Sequence, residues 1–183
     1  MKKKLLAALA AAFVLIVLFR CLDFQSVEDY YGGKEKQSES TQKVYITIKC
    51  NTILDNYDKL DVNLRSEQYV PKDGIILKRT GFVLQKGDTV FDILERAVKK
   101  NKLQLDYSGA DEGSYGTVYV KGINHLYELS CGELSGWMFT VNGKVMDNGA
   151  SAVNLKDGDE IEWVYTCDLG RDIGADTKGG TQN

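Results

Sequence analysis

Cysteine and histidine are the residues of this 183-residue chain best suited to chemistry, and they number four and one. A nucleophilic cysteine needs a base close to it, and that base needs a third group to orient it. The one histidine, His125, follows Gly-Ile-Asn and has no orienting partner visible in the sequence. No P-loop, G-x-S-x-G or zinc-ligand spacing is present either. We therefore predict no catalytic residues and a protein that is not an enzyme.

Three aspartates, Asp55, Asp58 and Asp61, suggest a calcium loop. A loop of the EF-hand type takes ligands from alternate residues around a required glycine, and a spacing of three does not fit that pattern. A solvated acidic loop is the favoured interpretation. A single histidine also excludes a His-rich metal cluster. We predict no metal site and no cofactor.

Aromatic residues in the second half of the chain could instead form a cradle for a ligand. Binding pockets combine apolar and aromatic walls with a few placed polar groups. The alternative is that aromatic side chains such as Trp137 and Trp163 fill the core, and for these two we favour the core. The loops at residues 132–136 and 142–143 are better placed for contact. The candidate ligand-binding residues are Tyr127, Ser135, Trp137, Phe139, Asn142 and Tyr165.

The charge balance argues against nucleic acid as a partner. The whole chain has a net charge of -3, but residues 1–21 contain four of the 23 basic residues and no acidic one. The rest therefore has 19 basic and 26 acidic residues. Such an acidic body offers no electrostatic footprint for a phosphate backbone.

The start of the chain determines the predicted location. Three lysines precede an unbroken apolar run over residues 5–19, which Arg20 closes. This is the pattern of a signal anchor or secretory signal. We expect an uncleaved anchor over residues 1–21, inserted in the cell membrane through residues 5–19. The basic end stays inside, so the domain faces outward. Lipidation at Cys21 and cleavage that releases a secreted protein remain alternatives.

Composition divides the rest of the chain into three parts. Residues 22–42 are polar and poor in branched apolar side chains, which is typical of a disordered tether. Residues 174–183 have a similar composition and are predicted to be a disordered tail. The folded domain is then residues 43–173, which is long enough to bury a core.

One helix is expected in this domain. Thr89 and Asp92 have the spacing of a capping box, and apolar residues follow at helical intervals. Lysines crowd the far end, where the helix dipole favours cations. The predicted helix covers about residues 88–102.

Strands are expected on both sides of that helix. Alternating apolar residues predict strands at residues 44–50, 137–141 and 160–167, and Asn142-Gly143 predicts a hairpin. Shorter strands are expected at residues 75–77 and 82–84, broken at Gly81, and at 103–107 and 117–121. Residues 51–74 should contain at most one helical turn. Strands around one packed helix predict an α+β roll with a mixed sheet.

Three motifs resemble the transcobalamin C-terminal-like family, many members of which are bacterial envelope proteins of unknown function. They are IKCNTILDNYDKLD (residues 48–61), GELSGWMFTVNG (132–143) and LKDGDEIEWVYTCDLGRDIG (155–174). The resemblance implies a β-grasp-like fold related to ligand-binding β-grasp domains. In transcobalamins this domain helps to close over a corrinoid.

The resemblance also bears on the cysteines, because disulfides persist outside the cytoplasm. In a β-grasp the first and last strands are parallel neighbours, which would bring the strand ends at Cys50 and Cys167 together. We expect a Cys50–Cys167 disulfide, with Cys131 left as a buried free thiol.

The expected function is binding. A small-molecule ligand is favoured, with a corrinoid or another large planar molecule as the most concrete candidate. The alternative is interaction with an envelope protein or a wall component through a strand edge or residues 126–136. Residues 82–93 resemble the opening of a LysM peptidoglycan-binding repeat, but no second helix is predicted after them. Glycan binding is therefore a minor alternative.

Overall fold

The computed structural model of the chain describes residues 41–109 and 116–175. These residues all belong to one compact unit, Ser40–Asn183. The predicted anchor, most of the tether and the end of the predicted tail lie outside the described residues. Within the described ranges, no helix is long and apolar enough to cross a membrane.

The larger of two sheets has five strands in the order β2-β1-β8-β6-β7. The strand β1 is antiparallel to β2 and parallel to β8, and β8 is antiparallel to β6. The first and last strands are therefore adjacent and parallel, and the sheet is mixed as predicted. Its strands are β1 (Lys43–Lys49), β2 (Ile75–Val83), β6 (Gly136–Val141), β7 (Lys144–Val145) and β8 (Glu160–Thr166).

The smaller sheet has three antiparallel strands in the order β3-β4-β5. They are β3 (Leu105–Ser108), β4 (Tyr119–Ile123) and β5 (Leu126–Tyr127). The two-residue strand β5 was not predicted, because two residues are too few to show an alternating pattern. Trp137 Nε1 donates to the Leu126 carbonyl oxygen at 2.7 Å and so links this sheet to β6.

The helix α1 (Val90–Asn101) confirms the helix prediction. Thr89 Oγ1 accepts from the Asp92 amide, and the Asp92 carboxylate accepts from the Thr89 amide, so the capping box is complete. One face of the helix is buried, and the buried core residues in the described ranges lie between Val44 and Cys167. A piece of the chain that begins at residue 37 therefore retains all of these residues.

Two regions differ from the predictions. The strand β2 is continuous, because Gly81 pairs with Tyr45 and its missing side chain lets the Tyr45 ring lie against the strand. Residues 51–74 contain two 3-10 helices instead of one turn. These are η1 (Asn51–Asn56) and η2 (Val62–Leu64), and Asp61 caps η2 by accepting from the Asn63 amide. Two further 3-10 helices follow later in the chain, η3 (Ala150–Ala152) and η4 (Arg171–Ile173).

Candidate binding surface

Four of the six predicted ligand-binding residues are buried. Trp137 and Tyr165 form an edge-to-face pair with ring centroids 5.3 Å apart, and Phe139 lies beside Trp163 at 5.2 Å. Ser135 is also buried, and its Oγ lies 2.9 Å from the Tyr165 hydroxyl. The burial of Trp137 and Trp163 agrees with the core placement favoured for them. Whether Trp137, Phe139, Tyr165 or Ser135 contacts a ligand stays a prediction.

The two remaining predicted residues lie at opposite ends of β6. Asn142 follows the last residue of that strand, and its side chain donates to Asp159 and accepts from the Glu160 amide. Tyr127 lies near the first residue of the strand, since Glu128 approaches Gly136. Six residues of strand separate the two by roughly 20 Å. One small ligand would therefore not span both.

Tyr127 is the exposed aromatic residue among the candidates, with 37% of its surface accessible. Its ring lies on Gly122, where an added Cβ would come within 2.7 Å of the ring. Its hydroxyl accepts from Gln104 Nε2 at 3.0 Å. The ring is thus held against the small sheet and stays partly exposed.

Four exposed apolar residues lie next to Tyr127 on three neighbouring loops. The Leu129 amide donates to the Ser135 carbonyl at 3.0 Å, and the Leu169 amide donates to the Leu134 carbonyl at 2.9 Å. The Asp61 amide donates to the Ser130 carbonyl at 2.9 Å, so the loop with Val62 is joined to the loop with Leu129. We call this set the leucine platform, and it consists of Val62 (70% exposed), Leu129 (64%), Leu134 (40%) and Leu169 (58%).

The backbone of the leucine platform is strained at two positions. Leu129 has φ of +67° and Leu169 has φ of +50°, in the left-handed region that glycine adopts freely. For other residues that conformation costs roughly 1–2 kcal/mol. Strained residues that the surrounding structure holds in place concentrate at functional sites. The platform thus combines backbone strain with exposed apolar side chains.

A buried polar network supports the platform from below. The Tyr165 hydroxyl lies 2.7 Å from the Tyr127 carbonyl oxygen and 2.9 Å from Ser135 Oγ. Ser135 Oγ also accepts from the Cys131 amide at 3.0 Å and lies 2.7 Å from the Gly132 carbonyl oxygen. Burial is the main cause that raises the pKa of Tyr165 to about 12. The hydroxyl therefore stays protonated and available as a donor.

The predicted Cys50–Cys167 disulfide does not form in the structure. Cys50, Cys131 and Cys167 are all buried free thiols. The register explains this, because Lys49 pairs with Val164 and the residue after Lys49 therefore lies level with Tyr165 and not with Cys167. The Cys167 thiol lies 3.7 Å from the Thr52 hydroxyl instead.

The Cys131 thiol is also buried and contacts a backbone carbonyl group. It lies 3.4 Å from the carbonyl oxygen of Asn56, in η1. Desolvation by burial is the main cause that raises the pKa of Cys131 and of Cys50 to about 12. Thiols with such values are protonated and unreactive at neutral pH.

Asp61, one of the three aspartates that suggested a calcium loop, has a structural role in the folded chain. Asp61 caps η2 and accepts from both the amide and the side chain of Asn63. Among residues 41–109 and 116–175, no group of three or more histidine, cysteine or acidic side chains is arranged to hold a metal ion.

Sequence reasoning included Leu129 and Leu134 in the candidate contact segment 126–136 without singling them out, and it missed Val62 and Leu169. The signal available to it was a lone apolar residue in a polar loop, at Leu129 and at Leu169. Isolated exposed leucines are common on protein surfaces, so this signal is weak by itself. Positive φ and the meeting of three loops are properties of the folded chain.

Comparisons with known proteins match one family and several solved structures, among them haptocorrin and a protein from Ruminococcus gnavus ATCC 29149. Residues 87–167 match a family described as a domain of unknown function (DUF4430). This segment includes residues 132–143 and most of residues 155–174, two of the three motifs that resemble the transcobalamin C-terminal-like family. No curated protein matches the chain.

The two solved structures share little sequence with the chain. The crystal structure of haptocorrin in complex with Cbi matches with 12% identity and a TM-score of 0.44, over 70% of this chain and 26% of that one. This chain thus spans about a quarter of the haptocorrin chain. A protein from Ruminococcus gnavus ATCC 29149, described as a candidate metal-binding protein, matches with 13% identity and a TM-score of 0.39, over 68% of this chain and 96% of that one.

Proposed function

We propose that the domain is a binding module that performs no chemistry of its own. The observation that carries the proposal is the leucine platform, where Leu129 and Leu169 are both strained and exposed. Exposed apolar groups on loops over a rigid scaffold are typical of interaction sites. The platform and the adjoining Tyr127 are the contact surface.

The first candidate ligand is a corrinoid or another large planar molecule. Support comes from the three sequence motifs and from the partly exposed Tyr127 near the platform. The alternative is an envelope protein or a wall component, for which the exposed loop at residues 128–135 offers the contact. The parallel pairing of β1 and β8, with α1 packed on the core, supports a β-grasp-like roll.

The proposed setting is the outer face of a membrane. The support is the apolar run at residues 5–19, with lysines before it and a polar stretch after it. Lipidation at Cys21 or release by cleavage would leave the domain on the same side of the membrane.

The experiment is a calorimetric titration of residues 37–183 with cobalamin and with cobinamide, with the corrinoid absorbance as a second signal. Saturable binding at micromolar affinity or tighter supports small-molecule capture. Tyr127→Ala should then weaken binding by about tenfold or more, as expected for an aromatic contact residue. Tyr107→Ala, which changes an exposed tyrosine of β3, is the matched control and should bind as the unchanged domain does.

No heat and no spectral change would overturn the small-ligand assignment. A pull-down from an envelope extract and from purified peptidoglycan then tests the alternative. Retention that Leu129→Gly abolishes would establish the platform as the contact surface. Recovery of neither a protein nor peptidoglycan would overturn the binding-module proposal.

A further inference from the structure

The charges around the leucine platform follow a pattern. Each of the four platform residues directly follows an acidic residue, in the pairs Asp61-Val62, Glu128-Leu129, Glu133-Leu134 and Asp168-Leu169. The four pairs come from three separate loops, and the backbone hydrogen bonds described above bring them together. The folded chain thus brings four acidic residues into the same loops as the four platform residues, and we call these four acids the acidic margin.

Basic residues do not balance these acids. Residues 57–65, 128–135 and 168–172 contain six acidic and three basic residues, a balance of -3. Arg171 is paired with Asp168, and Lys59 Nζ donates to Asn56 at 2.8 Å. Arg65 donates to the carbonyl oxygens of Leu60 and Asp58. The Lys59 side chain also lies beside Gly132.

Some of the acids also have partners, and these hold them in position. Asp61 accepts from Asn63, and Glu128 accepts from the Tyr119 hydroxyl at 2.5 Å. Glu133 is exposed and has no ion pair with any residue in the described ranges. The loops that form the platform therefore contain more acidic than basic side chains, and their charge is only partly neutralised.

We propose that the leucine platform binds a polypeptide segment that carries apolar side chains together with lysine or arginine. The inference rests on the proposed binding function and names the partner chemistry of the same surface. Apolar side chains of the segment would cover the four platform residues, and its cations would face the acidic margin. Complementary charge sets specificity and association rate more than affinity, and the apolar contact supplies the affinity.

The same charge argument disfavours a lipid surface as the partner. Anionic membrane surfaces attract basic segments and repel acidic ones. A platform made for a membrane would have lysines at its margin. Here the margin contains Glu133, Glu128, Asp61 and Asp168.

The test is fluorescence anisotropy with residues 37–183 and three labelled synthetic peptides of equal length. The first peptide contains leucine and lysine, the second leucine and glutamate, and the third serine and lysine. We expect the Leu–Lys peptide to bind about tenfold more tightly than either of the other two peptides. High salt should lower its affinity, because salt screens the attraction between opposite charges. Equal binding of the Leu–Glu peptide would overturn the charge argument.

The variants remove one property at a time. Leu129→Gly and Leu169→Gly delete the apolar side chain while allowing the observed backbone conformation, so the domain should stay folded and lose peptide binding by about tenfold. Lys102→Gly is the matched control, because Lys102 also has positive φ (+55°) but ends α1 away from the platform. Glu133→Lys should lower the affinity for the Leu–Lys peptide and raise the affinity for the Leu–Glu peptide.

Several results would overturn the proposal. These are unchanged peptide affinity in Leu129→Gly and Leu169→Gly, an equal loss in Lys102→Gly, and tighter binding to phosphatidylglycerol vesicles than to the Leu–Lys peptide. Failure here remains distinguishable from failure of the proposed function. If corrinoid binds and Leu129→Gly weakens it while no peptide binds, the platform is a small-ligand site. In that case the proposed function stands and this inference falls.

Discussion

The backbone amide of Leu169 donates to the carbonyl oxygen of Leu134 at 2.9 Å, and this bond joins the loop after the last strand to the loop before β6. Neither residue lies in a strand, so the contact extends the pairing of β6 and β8 beyond the end of the sheet. Both side chains are exposed. The apolar surface therefore sits on backbone that is hydrogen-bonded to the central sheet.

Replacing Leu129 tests the strain that its positive φ implies. Leu129→Gly should leave the free energy of unfolding within about 1 kcal/mol of its original value, because relief of strain offsets the greater freedom of the unfolded chain. Leu129→Val should destabilise the domain by about 1–2 kcal/mol, because a β-branched residue tolerates this conformation poorly. Urea unfolding measures both. Equal stability of the two variants would show that the backbone is relaxed at this position.

The Tyr165 hydroxyl should stabilise the loops below the platform. Tyr165→Phe keeps the ring but removes the hydroxyl that lies 2.7 Å from the Tyr127 carbonyl oxygen and 2.9 Å from Ser135 Oγ. We expect a loss of about 1–3 kcal/mol, as for a buried hydrogen bond whose partner is left unsatisfied. Hydrogen exchange should also become faster at the Cys131 amide, which donates to the same serine. Unchanged exchange there would mean that the network does not hold the loop.

The three described thiols should react only after unfolding. Cys50, Cys131 and Cys167 are buried and unpaired, and burial raises the pKa of each. Alkylation of the native piece at neutral pH should be slow, and alkylation in urea without reductant should modify all three. Mass spectrometry of the peptides gives the answer. A Cys50–Cys167 crosslink in the purified protein would contradict the free thiols of the structure.

Stability should fall at alkaline pH, because burial raises the pKa of the thiols in the folded chain. Well below pH 9.0, the ordinary pKa of a thiol, Cys50 is protonated in both the folded and the unfolded chain. From there to about pH 12 the unfolded chain releases the proton of Cys50 and the folded chain keeps it, so the free energy of unfolding decreases with pH. Each such thiol contributes a slope of about 1.4 kcal/mol per pH unit. Urea midpoints measured across this range should fall less steeply in Cys50→Ala, and an unchanged slope would rule out this thiol as the cause.

The capping box should stabilise α1 by about 1 kcal/mol, as is typical of helix N-caps. Thr89→Ala removes the oxygen that accepts from the Asp92 amide, and we expect a loss of about 1 kcal/mol. Thr89→Ser keeps that oxygen and should restore most of the stability. Thermal unfolding of the two variants checks this. If serine were as destabilising as alanine, the threonine methyl group and not the cap would matter.

Elements whose patterns are local could be predicted from the amino-acid sequence. Thr89 and Asp92 predicted the start of the helix, because a capping box depends on residues three apart. The alternating residues of β1, β6 and β8 predicted strands and the burial of Trp137 and Trp163, because side chains alternate between the faces of a strand. The Asn142-Gly143 turn followed from its own two residues.

The tertiary structure decided what depends on distant residues. The register of β1 against β8 placed Cys50 level with Tyr165, which separated it from Cys167. The packing of Tyr45 on Gly81 kept β2 continuous. The leucine platform arises because three loops that are far apart in sequence are hydrogen-bonded to one another, and the surrounding structure holds Leu129 and Leu169 in a conformation that their own preferences disfavour. Local patterns carry no information on such contacts, since these form only when the core brings the loops together.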